Sequence, residues 1–256
     1  MMNEKQTTAL RELESQFNLP ENKLREIVDS FIQAMKEGLE ADGRNLAMIP
    51  TYVTGRPTGQ ETGSYLALDL GGTNFRVCQV DLKGNGEFTI AQHKYALSHE
   101  HKTGDGKLLF DFLAECVDDF ITQRPEAESL RQAAIVPLGF TFSFPINQTA
   151  INRGKLLHWT KSFTATNVIG FDVAQLLQDA LNRIHLSNIK VAALVNDTVG
   201  TLLAAGYAEP STTCGVIFGT GTNTAYLERI DDIPKWKGTK EGAEMVVNME
   251  AIPPSV

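Results

Sequence analysis

The sequence predicts an α/β chain: a mixed five-stranded sheet with helices, followed by the start of a second unit of similar design. Three observations carry this reading. Three β segments, 64–70, 74–82 and 87–97, are punctuated by Gly71-Gly72 and "KGNGE" and read as a meander of antiparallel hairpins. From residue 107 the pattern becomes an alternation of helix and strand, which packs helices on the faces of a mixed sheet. Finally, "TTCGVIFGTGTNTAYLERI" resembles the strand–turn–strand of 64–82 about 150 residues later. Two similar halves with a cleft between them follow from that echo.

Taken in order, residues 4–17 and 21–40 read as helices, broken at Pro20. In the second, Leu24, Ile27, Val28, Phe31, Ile32, Met35 and Leu39 form one apolar stripe at helical spacing. Residues 43–63, rich in Gly, Pro and Thr, read as a connector. After the meander, Leu108, Leu109, Phe112, Leu113, Cys116, Val117 and Phe120 predict a helix over 107–123. There follow a strand at 134–143, a polar insertion at 145–170, a helix at 172–185 and a strand at 189–195. A helix at 198–208 and strands at 213–219 and 223–229 complete the order. The expected division is 1–60, 61–196 and 197–256.

A chain of 256 residues with 42% hydrophobic and 21% charged residues can bury a sizeable core. The formal net charge of −8 argues against a general nucleic-acid or anionic-membrane surface. No apolar run approaches the roughly 18 residues needed to span a bilayer, and the charged N-terminus resembles neither a secretory signal nor a transit peptide. Cys78, Cys116 and Cys214 are odd in number and widely spaced, so a reducing cytoplasm is the simplest compartment. The five histidines show no metal spacing, "HEH" at 99–101 reads as a solvated loop, and no local signature points to a Ser-His-Asp set.

Four segments could carry chemistry. In "LDLGGTNFR", Gly71 and Gly72 permit positive φ and close approach of backbone N–H groups to an anion, while Thr73 and Asn74 add donors. Asp69 ends an apolar run and needs a partner, for which Mg²⁺ through a water is one candidate; Arg76 lies within reach of a phosphate. An ordinary Gly-Gly hairpin with a solvated Asp69 explains the same residues. In "GVIFGTGTN", Gly219, Thr220, Gly221 and Thr222 form a second bare turn after an apolar strand. Two matched turns point to a clamp on a polyphosphate, although neither fits a P-loop or a dinucleotide fingerprint. In "VAALVNDTVGTLL", a strand delivers Asn196 and Asp197 directly before a helix. Asp197 either caps that helix or accepts a proton from a substrate hydroxyl during phosphoryl transfer. Finally, Ser143, Asn147, Asn152, Trp159, Thr160 and Lys161 put uncharged donors beside an aromatic, which suits a polyol, or else form a surface insertion.

"LDLGGTNFR", "LGFTFSFP", "LLHWTKSF", "VNDTVGTLL" and "GVIFGTGTN" together resemble the ordered motif series of eukaryotic hexokinases and glucokinases, of the fungal type, over residues 20–250. The resemblance implies an actin-like ATPase (RNase H-like) fold, a small domain at 61–196 and the beginning of a large one at 197–256. It implies transfer of the γ-phosphoryl of MgATP to the 6-hydroxyl of glucose or a related hexose, with ATP and Mg²⁺ as cofactors. Asp69 to Asn74 with Arg76 would be the first phosphate loop and Gly219 to Thr222 the second. Ser143, Thr160, Lys161, Asn196, Asn223 and Glu250 would hold sugar hydroxyls. Asp197 would be the base, and Asp69 and Asp197 would meet Mg²⁺ through water or phosphate. In that family the segment resembling "NME" is followed by about 200 further residues, whereas here "AIPPSV" follows, which reads as a truncation. Little kinase activity from this chain alone is therefore expected, as are uncovered apolar faces over 198–229. A catalytically inactive sugar-binding or regulatory fragment is the alternative. A non-sugar actin-like ATPase is a third reading, against which the "WTK" and "NDT" segments speak.

Overall fold

The structure is a computed structural model describing residues 4–124, 128–218, 222–239 and 242–250. In chain order, α1 (Glu4–Phe17) and α2 (Glu21–Glu40) precede β1 (Ile49–Thr54), β2 (Thr62–Leu70), β3 (Asn74–Gly84) and β4 (Glu87–Ala96). Next come α3 (His99–Thr103), α4 (Gly106–Thr122), α5 (Glu128–Gln132), β5 (Val136–Phe142), β6 (Ile146–Ala150) and β7 (Arg153–Leu156). The remainder is α6 (Val173–Arg183), β8 (Ile189–Val195), α7 (Asp197–Ala208), β9 (Cys214–Phe218), β10 (Thr222–Arg229) and β11 (Glu244–Asn248). No described helix is long and apolar enough to cross a membrane.

The first sheet has the order β4-β3-β2-β5-β8, antiparallel across β4-β3-β2 and parallel across β2-β5-β8. Along β5, Val136, Leu138, Phe140 and Phe142 alternate inward, the two-residue period of a strand with one buried face. That face meets Leu109, Phe110, Leu113, Val117 and Phe120 of α4 and Val173, Leu177 and Leu181 of α6. Each such side chain contributes about 1.5–3 kcal/mol when fully buried, so this layer is the main source of stability. Both helices begin on an aspartate: Asp105 accepts from the Lys107 N–H, and Asp172 from those of Ala174 and Gln175. On the opposite face, the first turn of α7 lies against Thr141.

The second sheet has the order β1-β11-β10-β9, antiparallel throughout. Val199 and Leu202 of α7 pack on Ala225 and Val246 on one side. Leu39 at the end of α2, with Leu46, Met48, Ile230 and Ile233, packs on Met245 and Val247 on the other.

Four expectations are corrected. The connector 43–63 contains a strand, β1, whose Pro50 is tolerated because β1 is an edge strand. The apolar stripe of α2 is present but mostly uncovered: Leu24, Ile27, Val28, Phe31 and Ile32 are exposed, and burial begins only toward Leu39. Among the described residues of 198–229, Val199 and Leu202 of α7 and Ala225 of β10 are covered, because β11 supplies their partner, whereas Val216 and Phe218 of β9 stay exposed as expected. Residues 99–101 are helical, with Ser98 and His101 forming a reciprocal cap and the His101 ring stacked 3.9 Å from Phe112.

Candidate functional site

Register places the chemistry. Asp69 of β2 pairs with Thr141 of β5, and Thr141 with Val195 of β8, so the carboxyl ends of three parallel strands lie in one row. Asp69, Ser143 and Asn196 therefore emerge at the same edge of the first sheet. Ligands of α/β sheets bind at such an edge.

Asn196 is the N-cap of α7, its Oδ1 accepting the Thr198 N–H at 3.0 Å, and its Nδ2 donates to Glu250 Oε1 at 3.0 Å. Asn223, on β10, donates to the same Glu250 Oε1 at 2.8 Å and to Asn248 Oδ1 at 2.8 Å. In return its Oδ1 accepts the Glu250 backbone N–H at 3.1 Å. Asn248 Nδ2 reaches Glu250 Oε1 at 3.2 Å, and the Thr198 hydroxyl donates to Asn196 Oδ1 at 2.5 Å. Thr198 and Asn248 are buried polar residues whose groups must be paired, and here they are. The network ties the end of the first sheet to two central strands of the second.

Glu250 sits at its centre, in a left-handed backbone conformation at φ 38°. Burial raises its pKa above the ordinary 4.5, and the nearby Asp197 carboxylate raises it further; Asn248, Lys161 and Asn223 pull the other way. A carboxyl with a raised folded value holds its proton more tightly folded than unfolded. The stability this gives is complete below the unfolded value and is lost as pH rises through the folded one. Glu250→Gln keeps an amide oxygen for the three asparagines and removes the charge. It is expected to melt with the parent near pH 4 and above it at pH 7, by on the order of 1 kcal/mol or about 2–4 °C. Thermal melts across that range check this.

Asp197, the first residue of α7, is half-buried beside this network, its Oδ1 2.9 Å from the Thr198 N–H. Ser143 lies just beyond β5 and is buried, and its Oγ has no hydrogen-bond partner in the protein. A buried hydroxyl without a partner costs about 1–3 kcal/mol, so it marks a position suited to a ligand's polar group.

The loop carrying Thr160 and Lys161 is fixed by aromatic packing. Trp159 stacks on Phe163 at 5.2 Å and meets Phe144 edge-on at 4.9 Å, while its indole N–H donates to the Ala165 carbonyl at 2.8 Å. The Trp159 ring thus holds the loop, where the sequence placed it beside a polyol. Lys161, at φ 55°, carries its ammonium 5.3 Å from the Phe144 ring and near enough to lower the Glu250 pKa. Its side chain also covers Gly72, where a Cβ would lie 3.3 Å from Lys161 Cβ. Asn147 is exposed on β6, and Asn152 turns to the Val191 carbonyl at 3.5 Å, so neither joins the group.

The first Gly turn differs from expectation in two respects. Neither Gly71 nor Gly72 has positive φ; a Cβ there would instead be crowded, 3.2 Å from the Asn74 carbonyl oxygen and 3.3 Å from Lys161 Cβ respectively. The Gly71 N–H is also already given to the Asn74 carbonyl at 3.0 Å. Asp69 is neither buried nor alone: antiparallel register sets it opposite Arg76, whose Nη1 donates to Asp69 Oδ2 at 2.5 Å. With exposures of 33% and 45%, that pair contributes about 0–1 kcal/mol and can open at little cost. Thr73 is exposed and Asn74 half-buried at the same turn. Gly219, Thr220 and Gly221 lie outside the described residues; Thr222 opens β10 and is exposed. Among the described residues no group of three or more His, Cys, Asp or Glu is placed to hold a metal ion. The two aspartates at this edge offer only hard carboxylate oxygens, a donor set that suits Mg²⁺ bound through water or phosphate. Sequence reasoning missed Thr198 and Asn248; both stand in segments it singled out, "NDT" and "NME".

A mixed sheet whose strand ends deliver an aspartate, a hydroxyl and an amide to a cleft edge, completed by a second sheet, defines the class: an actin-like ATPase fold. Comparison with known proteins refines this. A family profile described as Hexokinase matches residues 9–207, and a second of the same description matches 213–252. The chain belongs to the hexokinase family. It is 43% identical over 243 residues to Hexokinase-1 of Schizosaccharomyces pombe, covering 94% of this chain and 49% of that protein. It is 42% identical to the Glucokinase of Aspergillus niger, covering 92% and 52%. Among solved structures, a hexokinase from Schistosoma mansoni complexed with glucose superposes with a TM-score of 0.80 at 40% identity, covering 93% of this chain and 53% of that one. The chain thus spans about half the length of the curated relatives it matches.

Proposed function

We propose that this chain carries the hexose-holding and proton-accepting part of a sugar kinase that transfers the γ-phosphoryl of ATP to the 6-hydroxyl of glucose or a related hexose. The observation that carries the reading is the convergence of Asn196, Asn223 and Glu250 in one network beside Asp197, with the unpartnered Ser143 hydroxyl at the same strand edge. Neutral amides and a carboxylate together bind hydroxyl groups, the carboxylate accepting and the amides both donating and accepting. Ser143, Thr160, Lys161, Asn196, Asn223 and Glu250 hold the sugar in this proposal. Asp197 accepts the proton of the reacting hydroxyl as its oxygen attacks phosphorus and ADP departs. Residues 69–74, Arg76 and 219–222 face the phosphates, with Arg76 released from Asp69 when an anion is present. Bound Mg²⁺, held through water or phosphate near Asp69 and Asp197, supplies charge neutralisation on the transferring group.

In this reading 61–196 is the small domain, and 1–60 with 197–256 belong to the large one, a division that the two sheets support. A cytoplasmic setting accords with three free thiols. A hexose-binding chain without turnover is the second reading, since the same amide and carboxylate network would hold a sugar whether or not phosphoryl transfer follows. One titration tests the common ground. In a Trp236→Phe background Trp159 is the sole indole, and glucose is expected to change its fluorescence saturably; no response overturns the binding site. A coupled assay for glucose-dependent ADP formation then separates the readings, because binding without turnover assigns the second.

A further inference from the structure

The two glycines of the first turn are bare for different reasons. The Gly71 N–H donates to the Asn74 carbonyl at 3.0 Å, and a Cβ on Gly71 would lie 3.2 Å from that same oxygen. Gly71 thus closes its own hairpin. Gly72 has another neighbour. The three atoms nearest to a Cβ built on it all belong to Lys161: Cβ at 3.3 Å, Cδ at 3.6 Å and Cγ at 3.8 Å.

Lys161 is fixed from the other side. The Phe163 N–H donates to the Thr160 carbonyl at 3.1 Å, closing a tight turn whose central residues, Lys161 and Ser162, have φ of 55° and 64°. Positive φ at both central positions ordinarily calls for Asn or Gly, so a turn of Lys and Ser persists only where its surroundings hold it. Phe163 does so, stacked on Trp159 and edge-on to Phe144 at 5.0 Å. From this turn the Lys161 stem crosses Gly72. Its ammonium ends 5.3 Å from the Phe144 ring centre and within electrostatic reach of Glu250.

We propose that Gly72 is the seat of the Lys161 side chain, which makes the second glycine of the turn a positioning residue for the sugar pocket. Carbon pairs pack best at about 3.5–4.0 Å, so an added Cβ at 3.3 Å is too close. The crowded atom is the root of the lysine side chain, which no rotation about its own torsions moves away. The Lys161 backbone has to turn instead, and the ammonium at the far end is displaced. The proposal deepens the sugar-kinase reading and rests on it only for the role of Lys161 at the sugar.

Gly72→Ala tests the seat, with the lysine ε-methylene resonances as a ligand-free readout. The Lys161 resonance, identified by its absence from Lys161→Gly, carries the ring-current shift of Phe144. In Gly72→Ala it is expected to move toward the position of a solvated lysine, and an unmoved resonance overturns the seat. Glucose affinity, followed by Trp159 fluorescence in the Trp236→Phe background, is expected to fall about tenfold. It should fall no further in Gly72→Ala/Lys161→Gly than in Lys161→Gly, because the alanine acts only through the lysine. Additive losses overturn the proposal, since they give Gly72 a role independent of Lys161. A moved resonance with unchanged affinity overturns it as well. If the parent itself does not respond to glucose, the sugar-kinase reading fails while the resonance still decides the seat. Should Gly72→Ala not fold, the double variant decides. Lys161→Gly removes the obstructing Cβ and suits φ 55°, so a folded double variant supports the seat and an unfolded one overturns it.

Discussion

Gly215→Val is expected to lower the melting temperature by about 5–10 °C and to abolish any fluorescence response to glucose. Gly215 of β9 lies directly beneath α7, where a Cβ would meet Leu202 N at 2.7 Å, Thr198 O at 2.8 Å and Leu202 Cα at 3.0 Å. All three are backbone atoms of a helix, so no side-chain rotation relieves the clash, and the helix itself must move. Overpacking costs about 1–3 kcal/mol where side chains can adjust, and the upper end applies here; in a chain of this size each kcal/mol shifts melting by about 2–4 °C. The helix that moves carries Thr198 at the contact itself and Asn196 and Asp197 just before it, so stability and the site fail together. Gly139→Ala is the control. That glycine lies in β5 with nothing within 4 Å of a built Cβ and no positive φ, and alanine there should be neutral or stabilising by up to about 1 kcal/mol. Calorimetry on the two variants checks both. A Gly215→Val protein that melts with the parent would mean α7 is not seated on β9 as described.

The contrast between those glycines shows what a sequence does and does not disclose. From residue 62 onward, β2 to β5, α4, α6, β8, α7, β9 and β10 are legible because their signals are local: two-residue alternation in β5, three-to-four spacing in α4, aspartates at the helix starts. Helices α3 and α5 and the β6–β7 hairpin, in segments that read as loop, insertion or nothing regular, are not. The position of Asn196 and Asp197 at a strand end before a helix was legible for the same reason. β1 and β11 were not, because each is five or six residues long and is defined by pairing across the chain, Ile49 with Asn248. β1 is further disguised by Pro50 and by Tyr52 at φ 62°, neither of which suits a regular strand. The Asp69–Arg76 pair could have been read from the hairpin, since Leu70 opposite Phe75 sets Asp69 opposite Arg76. Assigning one residue to a metal and the other to a phosphate passed over that register. The contribution of Asn248 was hidden differently. It supports Glu250 from two residues away only because β11 lies between β1 and β10, a tertiary fact with no local trace.

Asn196→Ala is expected to weaken glucose binding on the order of 100-fold and to lower stability by about 1 kcal/mol. The two effects come from the two ends of one amide. Its oxygen caps α7 through the Thr198 N–H, and loss of such a cap costs about 1 kcal/mol. Its nitrogen donates to the half-buried Glu250 carboxylate, and a hydrogen bond to a charged group is worth about 1.5–3 kcal/mol. Asn196→Asp separates the two contributions. Aspartate is as good an N-cap as asparagine, so stability lost through the cap should return. Its carboxylate, however, would face Glu250, whose pKa burial and Asp197 already raise, and a further like charge pushes in the same direction. Binding should therefore remain weak at pH 7 and recover as pH falls and the pair takes up a proton, whereas Asn196→Ala should show no such recovery. Titration calorimetry with glucose at pH 7 and pH 5 distinguishes the outcomes. Parent-like affinity in Asn196→Ala would remove Asn196 from the sugar site and leave it a helix cap alone.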